Sequence, residues 1–292
     1  RAGILDMASI ATMGSTGLAL GDAKQAKNVM DTQVLVAYGL FLGIGVVIYH
    51  FVAEGQFSAI MTMAVMLQCL AMLLLLMQSL STGSAAGISA RALKLEALSL
   101  CCRLSSTTWL NGYLPADASG DWIFQAIDVC TLLLVLGLLH TVLVGQRASY
   151  EEQEDSLPIA PMVFGSFLMA AILHADMNSR PLFDTLWMTG LFVGVLAVLP
   201  QLWLVWRTGG RIEALTSHFI ATMALSRVLS GVFMWHARWD ITCQPWAQGY
   251  NHAVWAILGA HLMHLLLLGD FAYFYAKGIA TRGLGAALEV SS

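Results

Sequence analysis

Apolar residues recur along this chain in runs near the span of a bilayer, separated by short polar turns. Runs of this length predict membrane-crossing helices. A membrane β-barrel would instead alternate apolar and polar residues with a period of two, and no such alternation is present. The pattern predicts eight spans: Gln33–Val52, Phe57–Leu80, Leu93–Tyr113, Trp122–Val144, a short Ile159–His174, Leu182–Val205, Leu215–Trp235 and His252–Tyr275. Residues 1–31 are small and polar and are expected to form a surface segment with one short helix. The stretch from Arg147 to Ser156, RASYEEQEDS, is the one charge run and is expected to be solvated. A Gly/Ala-rich tail closes the chain, and Arg1 rather than Met opens it, as expected of a processed or truncated chain.

Composition agrees with the pattern. Of 292 residues 58% are hydrophobic and only 11% charged, with a mean hydropathy of +0.72, which excludes a water-soluble domain. The net charge of −4 implies no nucleic-acid partner. The basic residues test the span count. With eight spans, Arg1, Lys24, Lys27, Arg91, Lys94, Arg147, Arg207, Arg211, Lys277 and Arg282 fall on one side, and only Arg180 and Arg238 on the other. This asymmetry is what the positive-inside rule requires, so both termini are expected on the cytosol-equivalent side. The cysteines show no metal spacing; those in the spans are expected to pack as small buried hydrophobes.

Candidate chemistry lies in the ionisable residues that fall in or near spans: Arg103, Asp128, Asp184, Arg227 and Asp270. Such groups are expensive in a membrane and are either paired or functional. They predict a polar cavity or a set of interhelical salt bridges. Arg103 and Arg227 each have a serine three residues on, Ser106 and Ser230, which hints at an internal repeat. Pro200-Gln201 near a helix base predicts a kink or a hinge. His140, His261 and His264 are candidate pigment ligands, a neutral imidazole being able to ligate a chlorophyll magnesium. No nucleophile–base pair, phosphate loop or metalloprotease motif is present, so the chain reads as non-enzymatic, with no metal site.

Four motifs fall in order: Ala86-Gly87-Ile88-Ser89; Val198-Leu199-Pro200-Gln201-Leu202; Arg207-Thr208-Gly209 followed by Glu213 and Thr216-Ser217-His218; and Asp270-Phe271 with Tyr273 and Tyr275. With this order and spacing the chain resembles the ER lumen protein-retaining receptor (KDEL receptor) family over about residues 57–280. The resemblance implies an all-α polytopic membrane protein. It would be a seven-helix bundle related to the PQ-loop and SWEET transporters, here with one extra N-terminal span. It divides the chain into a surface segment, 1–31, the extra helix, 32–56, the bundle, 57–280, and a tail, 281–292.

The family binds C-terminal Lys-Asp-Glu-Leu-type signals in a polar cavity, at acidic rather than neutral pH. By that resemblance Arg103, Asp184, Arg227 and Asp270 are the ligand-binding candidates, with Pro200 and Gln201 the hinge. Several family positions differ: Met61 and Gln68 replace an arginine and the pH-sensing histidine, Ser106 an aspartate, Gly194 a glutamate, Ser226 and Ser230 tyrosines, and Asp128 a lysine. A tetrapeptide with a cation and carboxylates needs a counter-charge for each in a low-dielectric cavity. Ordinary signal binding is therefore expected to be weak or absent. The first expectation is a retention receptor of the ER and Golgi with a largely lost pocket, binding tails of lumenal proteins more strongly as pH falls. The alternative is an accessory subunit of a photosynthetic or respiratory complex in a thylakoid or mitochondrial inner membrane, contacting chlorophyll, carotenoid or lipid. A SWEET-like transporter ranks last.

Overall fold

The computed structural model describes residues 32, 34–52, 59–110, 114, 122–177, 180–208, 211–212, 214–243, 249–282 and 288–289. The expected 1–31 surface segment lies outside them. A helix stands at each of the eight predicted places. Helix α1 is Val34–His50, running into a π-helical turn over Ile48–Val52. Next come α2, Ala59–Thr82, and α3, Ala90–Leu110. Helix α4, Trp122–His140, continues through a π-helical turn at Thr141–Gly145, and α5, Ala160–Leu173, is short. The sixth stretch is two helices, α6, Pro181–Leu196, and α7, Val198–Arg207, parted at Ala197. Helices α8, Ala214–Ala237, and α9, His252–Arg282, complete the bundle. A two-residue antiparallel pairing joins 211–212 to 288–289.

Among the described residues, five of these stretches are long and apolar enough to cross a membrane, and α1 and α5 are shorter apolar helices. Helix α3 owes its lower hydropathy to Arg91, Lys94, Glu96 and Arg103, and it is held between α4, α6 and α7. The protein is thus an all-α polytopic membrane protein. Its outer surface is apolar too, with Leu133, Phe164, Leu182, Leu262 and Leu266 exposed, as a lipid-facing surface must be. Two of its cysteines, Cys101 and Cys130, are exposed on that surface instead of buried as expected.

Inside, two apolar layers are stacked along the bundle. One contains Val65, Phe124, Met188, Met234 and Ile257. The other contains Met72, Ile88, Leu93, Leu138, Met223 and Leu268. Between them lies a belt of buried polar residues, Gln68, Glu96, Asp128, Arg227 and His264.

The break between α6 and α7 has a covalent cause. Pro200 has no N–H to donate to the carbonyl four residues back, that of Leu196, where α6 stops. Close approach of α3 to α6 depends on glycine. A Cβ on Gly190 would stand 2.9 Å from the Ser99 carbonyl oxygen, and one on Gly194 would stand 2.8 Å from Ser99 Oγ. The Ser99 hydroxyl donates to the Gly190 carbonyl at 2.6 Å, so small residues and one hydroxyl bring the two backbones together.

The acidic run is a correction. It is not merely solvated but stitched to the α2–α3 turn. Asp155 is buried and accepts from Ser89 Oγ at 2.7 Å, from the Arg91 amide at 3.1 Å and from the Tyr150 hydroxyl at 2.6 Å. Glu151 accepts from the Gly87 amide at 3.0 Å, where Gly87 has φ +76° and needs glycine's freedom. Glu154 pairs with Arg207 at 2.8 Å. Ser89 also caps α3, accepting from the Ala92 amide at 3.0 Å. Burial and the hydrogen bond to Asp155 push the Tyr150 hydroxyl pKa up.

Helix α1 is docked on the bundle. Val34 packs on Leu70 and Leu74. The Tyr38 hydroxyl lies 3.2 Å from His218 Nδ1 and 3.1 Å from Thr222 Oγ1, tying α1 to α8.

Candidate functional site

The polar belt holds two buried ion pairs. Arg103, on α3, grips Asp128, on α4, with two bonds: Nε to Oδ2 at 2.7 Å and Nη2 to Oδ1 at 2.6 Å. This bidentate fork satisfies both carboxylate oxygens in an environment where an unpaired charge is expensive. Arg103 Nη2 also reaches Gln68 Oε1 at 3.2 Å, and the Gln68 amide nitrogen donates to Glu96. Glu96 is the partner of the second arginine. Arg227 Nη2 on α8 lies 3.4 Å from Glu96 Oε1, a single long contact. A chain Asp128–Arg103–Gln68–Glu96–Arg227 therefore crosses the bundle through α4, α3, α2 and α8.

Two cavities of about 40 Å³ each abut this chain. One is apolar, walled by Leu75, Leu93, Val198, Phe219 and Met223, and it ends at Glu96, Arg227 and His264. The other is the more polar of the two, with Ser99, Arg103, Arg227, Ser230, His261 and His264 on its wall beside Met61, Trp187 and Met234, and Gly190 and Gly194 on its α6 side. Each has room for about three water-sized groups. Arg227 and His264 line both, so they stand in the partition between them.

Arg227 Nε, His261 Nε2 and His264 Nε2 are buried without a hydrogen-bond partner. All three belong to side chains that line the polar cavity. Buried polar atoms left in this condition are rare and are satisfied by a water, an ion or a ligand.

The sequence-predicted residues separate into groups. Arg103 and Arg227 meet in the belt, and His261 and His264 join them. Asp184 is buried in the first turn of α6 and lines neither cavity. Asp270 lies in α9, but its side chain is outside the described residues. His140 is exposed on the outer surface at the end of α4. Gln201 binds the α2–α3 turn, its oxygen accepting from the Ser89 amide at 3.0 Å and its nitrogen donating to the Gly87 carbonyl at 2.7 Å. Pro200 is buried beside it in the first turn of α7.

Positions that depart from the receptor pattern serve as contacts between helices. The Ser106 hydroxyl donates to the Phe183 carbonyl at 3.0 Å, and Ser226 to the Ala64 carbonyl at 2.7 Å. Gly194 admits Ser99, and Asp128 neutralises Arg103. Glu96 is the residue that sequence reasoning missed. It precedes Arg103 by two helical turns and so shares its face, a spacing that marks an acid and a base on one buried stripe.

The family described as ER lumen protein retaining receptor matches residues 84–238, just over half of the chain. Among individual proteins, the chain is 24% identical over 223 residues to ER lumen protein-retaining receptor erd-2.2 of Caenorhabditis elegans, covering 76% of this chain and 94% of that one. It is 24% identical over 206 residues to the ER lumen protein-retaining receptor of Drosophila melanogaster, covering 70% and 87%. With ER lumen protein-retaining receptor 3 of Xenopus laevis it shares 29% over 166 residues, covering 55% and 69%.

Proposed function

We propose, from the premise that the chain belongs to the ER lumen protein retaining receptor family, that it is a non-enzymatic sorting receptor of the ER and Golgi. Its polar cavity takes the C-terminal tails of lumenal proteins, with a recognition chemistry different from that of an ordinary Lys-Asp-Glu-Leu pocket. The receptor unit is the bundle over about residues 57–280, and the helix before it is an addition that leaves the cavity intact. The observation that carries this reading is the polar cavity at mid-bundle, with Arg103, Arg227, His261 and His264 on its wall. A receptor for a charged tail needs buried counter-charges, and a bundle with no ligand has no reason to keep buried cations beside open space. The ordinary signal fits poorly, since Arg103 is saturated by Asp128 and Gly194 and Ser226 are used in helix packing.

The test is binding of a panel of tail peptides to the full chain in lipid nanodiscs, at about pH 5.5 and about pH 7.2, where histidine changes charge. Sequence-selective binding of some tail, with Lys-Asp-Glu-Leu weaker than in an ordinary receptor, is the expected result. If no tail binds at either pH, the receptor reading is wrong. The accessory-subunit reading has no comparable support, because the relatives that the chain matches are named as ER lumen protein-retaining receptors.

A further inference from the structure

Four of the five cysteines lie in helices: Cys69 in α2, Cys101 and Cys102 in α3, and Cys130 in α4. Cys243 alone lies outside one, in the segment between α8 and α9, and it is partly exposed. A thiol left over outside the membrane helices is a candidate for pairing with another molecule. Its setting is built by its neighbours. Asn251 caps α9: its Oδ1 accepts from the Val254 amide at 3.0 Å, and its Nδ2 donates to the Ile241 carbonyl at 2.7 Å, which draws 241–243 across the first turn of the helix. Thr242 is laced to the turn after α5. Its carbonyl accepts from the Asp176 amide at 2.9 Å, and its hydroxyl donates to the Asp176 carbonyl at 2.7 Å.

These bonds place the Cys243 sulfur 3.1 Å from Asn251 Oδ1, to which its thiol donates, and 3.8 Å from His252 Nδ1, within reach for a sulfur partner. Asn251 does not need the thiol, because the Val254 amide and the Ile241 carbonyl already hold it. His252 is buried, so its ring is fixed beside the sulfur. A partly exposed thiol with a fixed imidazole beside it has both parts of a nucleophile and its base. The two residues are nine apart in the chain, and only the cap at Asn251 brings them together.

We propose that Cys243 and His252 form a thiol-exchange site that takes a small disulfide and keeps one half of it as a mixed disulfide. His252 Nδ1 accepts the thiol proton as the Cys243 sulfur attacks. A bond forms from Cys243 Sγ to one sulfur of the incoming disulfide, and the old S–S bond breaks. The leaving sulfur takes the electron pair of that bond and then the proton from His252. One disulfide is consumed, one is formed and one thiol is released, so no further oxidant is needed. The partner is small because the sulfur is only partly exposed, between the turn after α5 and the first turn of α9. Helix α8 carries the chain from the Arg207 end of the bundle to this segment, which therefore lies at the other end. On the receptor reading that is the lumenal end, where disulfides persist. The site is separate from the mid-bundle cavity, whose wall does not include Cys243 or His252, and it does not depend on what that cavity binds.

The experiment exposes the full chain in lipid nanodiscs to oxidised glutathione at neutral pH and follows the adduct by mass spectrometry of the chain and of its peptides. The reference is the free peptide of residues 240–244, blocked at both ends, which has the cysteine without the fold. The expected result is one glutathione per chain, on Cys243, added at least about tenfold faster than to the peptide. Cys243→Ser should abolish the adduct. His252→Gln should slow it at least about tenfold, with thermal unfolding unchanged. If Cys243 in the folded chain reacts no faster than the peptide, or the adduct forms on other cysteines instead, the site is overturned whether or not His252→Gln folds. If a folded His252→Gln chain reacts as fast as the native one, His252 is not the base and the pair is overturned. Tail binding, measured separately, is untouched by either result.

Discussion

Arg103 and Arg227 are the two arginines in the polar belt, each with a serine three residues on, yet they are held in opposite ways. Arg103 makes a fork onto Asp128 with both bonds under 2.8 Å, and the aspartate is fully buried. Arg227 makes one contact at 3.4 Å, shares its glutamate with Gln68, and leaves Nε unpartnered. A saturated pair fixes the register of two helices. A half-satisfied one keeps a cation available beside a cavity. The difference teaches that a buried charge in a membrane bundle is not functional because it is buried; what matters is whether its partners exhaust it.

The sharpest way to break the comparison is Asp128→Asn. It leaves Arg103 buried and unpaired, and should reduce stability by about 3–5 kcal/mol. Thermal unfolding of the detergent-solubilised protein measures it, and a loss under about 1 kcal/mol would mean that the fork does not lock the helices. Next is Gly190→Ala, whose methyl would meet the Ser99 carbonyl and press α3 off α6. Overpacking of this kind costs about 1–3 kcal/mol, read by the same unfolding, with Gly137→Ala as the control where a Cβ meets nothing within 4 Å.

Glu96→Gln sharpens the comparison from the other side. It should cost about 1–3 kcal/mol, since the contacts from Arg227 and Gln68 are both weakened while the glutamine oxygen can still accept one of them. It also removes the counter-charge of Arg227, which lines the polar cavity, so tail binding should strengthen, as titration of a tail peptide would read. A fall in affinity would reverse the roles assigned to the two arginines. The smallest effect lies far from both. The raised pKa of Tyr150 means that folding favours its neutral form. Its contribution is fully present below about pH 10, the ordinary tyrosine value, and is lost as pH rises through the folded value. Tyr150→Phe should therefore lower stability at neutral pH by about 0.5–1.5 kcal/mol, through the lost hydrogen bond to Asp155, and flatten the alkaline limb of a stability profile measured by denaturant unfolding.

Much of the fold was legible in the chain. Spans are set by local composition, so the bounds expected for the fourth span, Trp122–Val144, and for the short fifth one, Ile159–His174, agree with the helices within a residue or two. Pro200 announced the break before α7, because a missing N–H acts on the turn before it. The site was legible in its parts only. Arg103 and Arg227 stood out as charges in apolar surroundings. Glu96 did not, because it lies near the start of a span where an acid passes for an interfacial residue. The acidic loop misled, because a charge run does not reveal that the buried turn opposite offers the Ser89 hydroxyl and the amides of Gly87 and Arg91.

The sequence by itself determined that this is a membrane bundle, where its helices lie, and to which receptor family it belongs. Those properties follow from hydropathy, from backbone chemistry and from short motifs, each carried by neighbouring residues. Only the tertiary structure decided that Arg103 belongs to Asp128 and Arg227 to Glu96, that Gly190 and Gly194 seat Ser99, and that His261 and His264 share a cavity wall with Arg227. Those partners are distant in sequence, and which acid meets which base depends on helix rotation and depth, quantities that no single helix specifies.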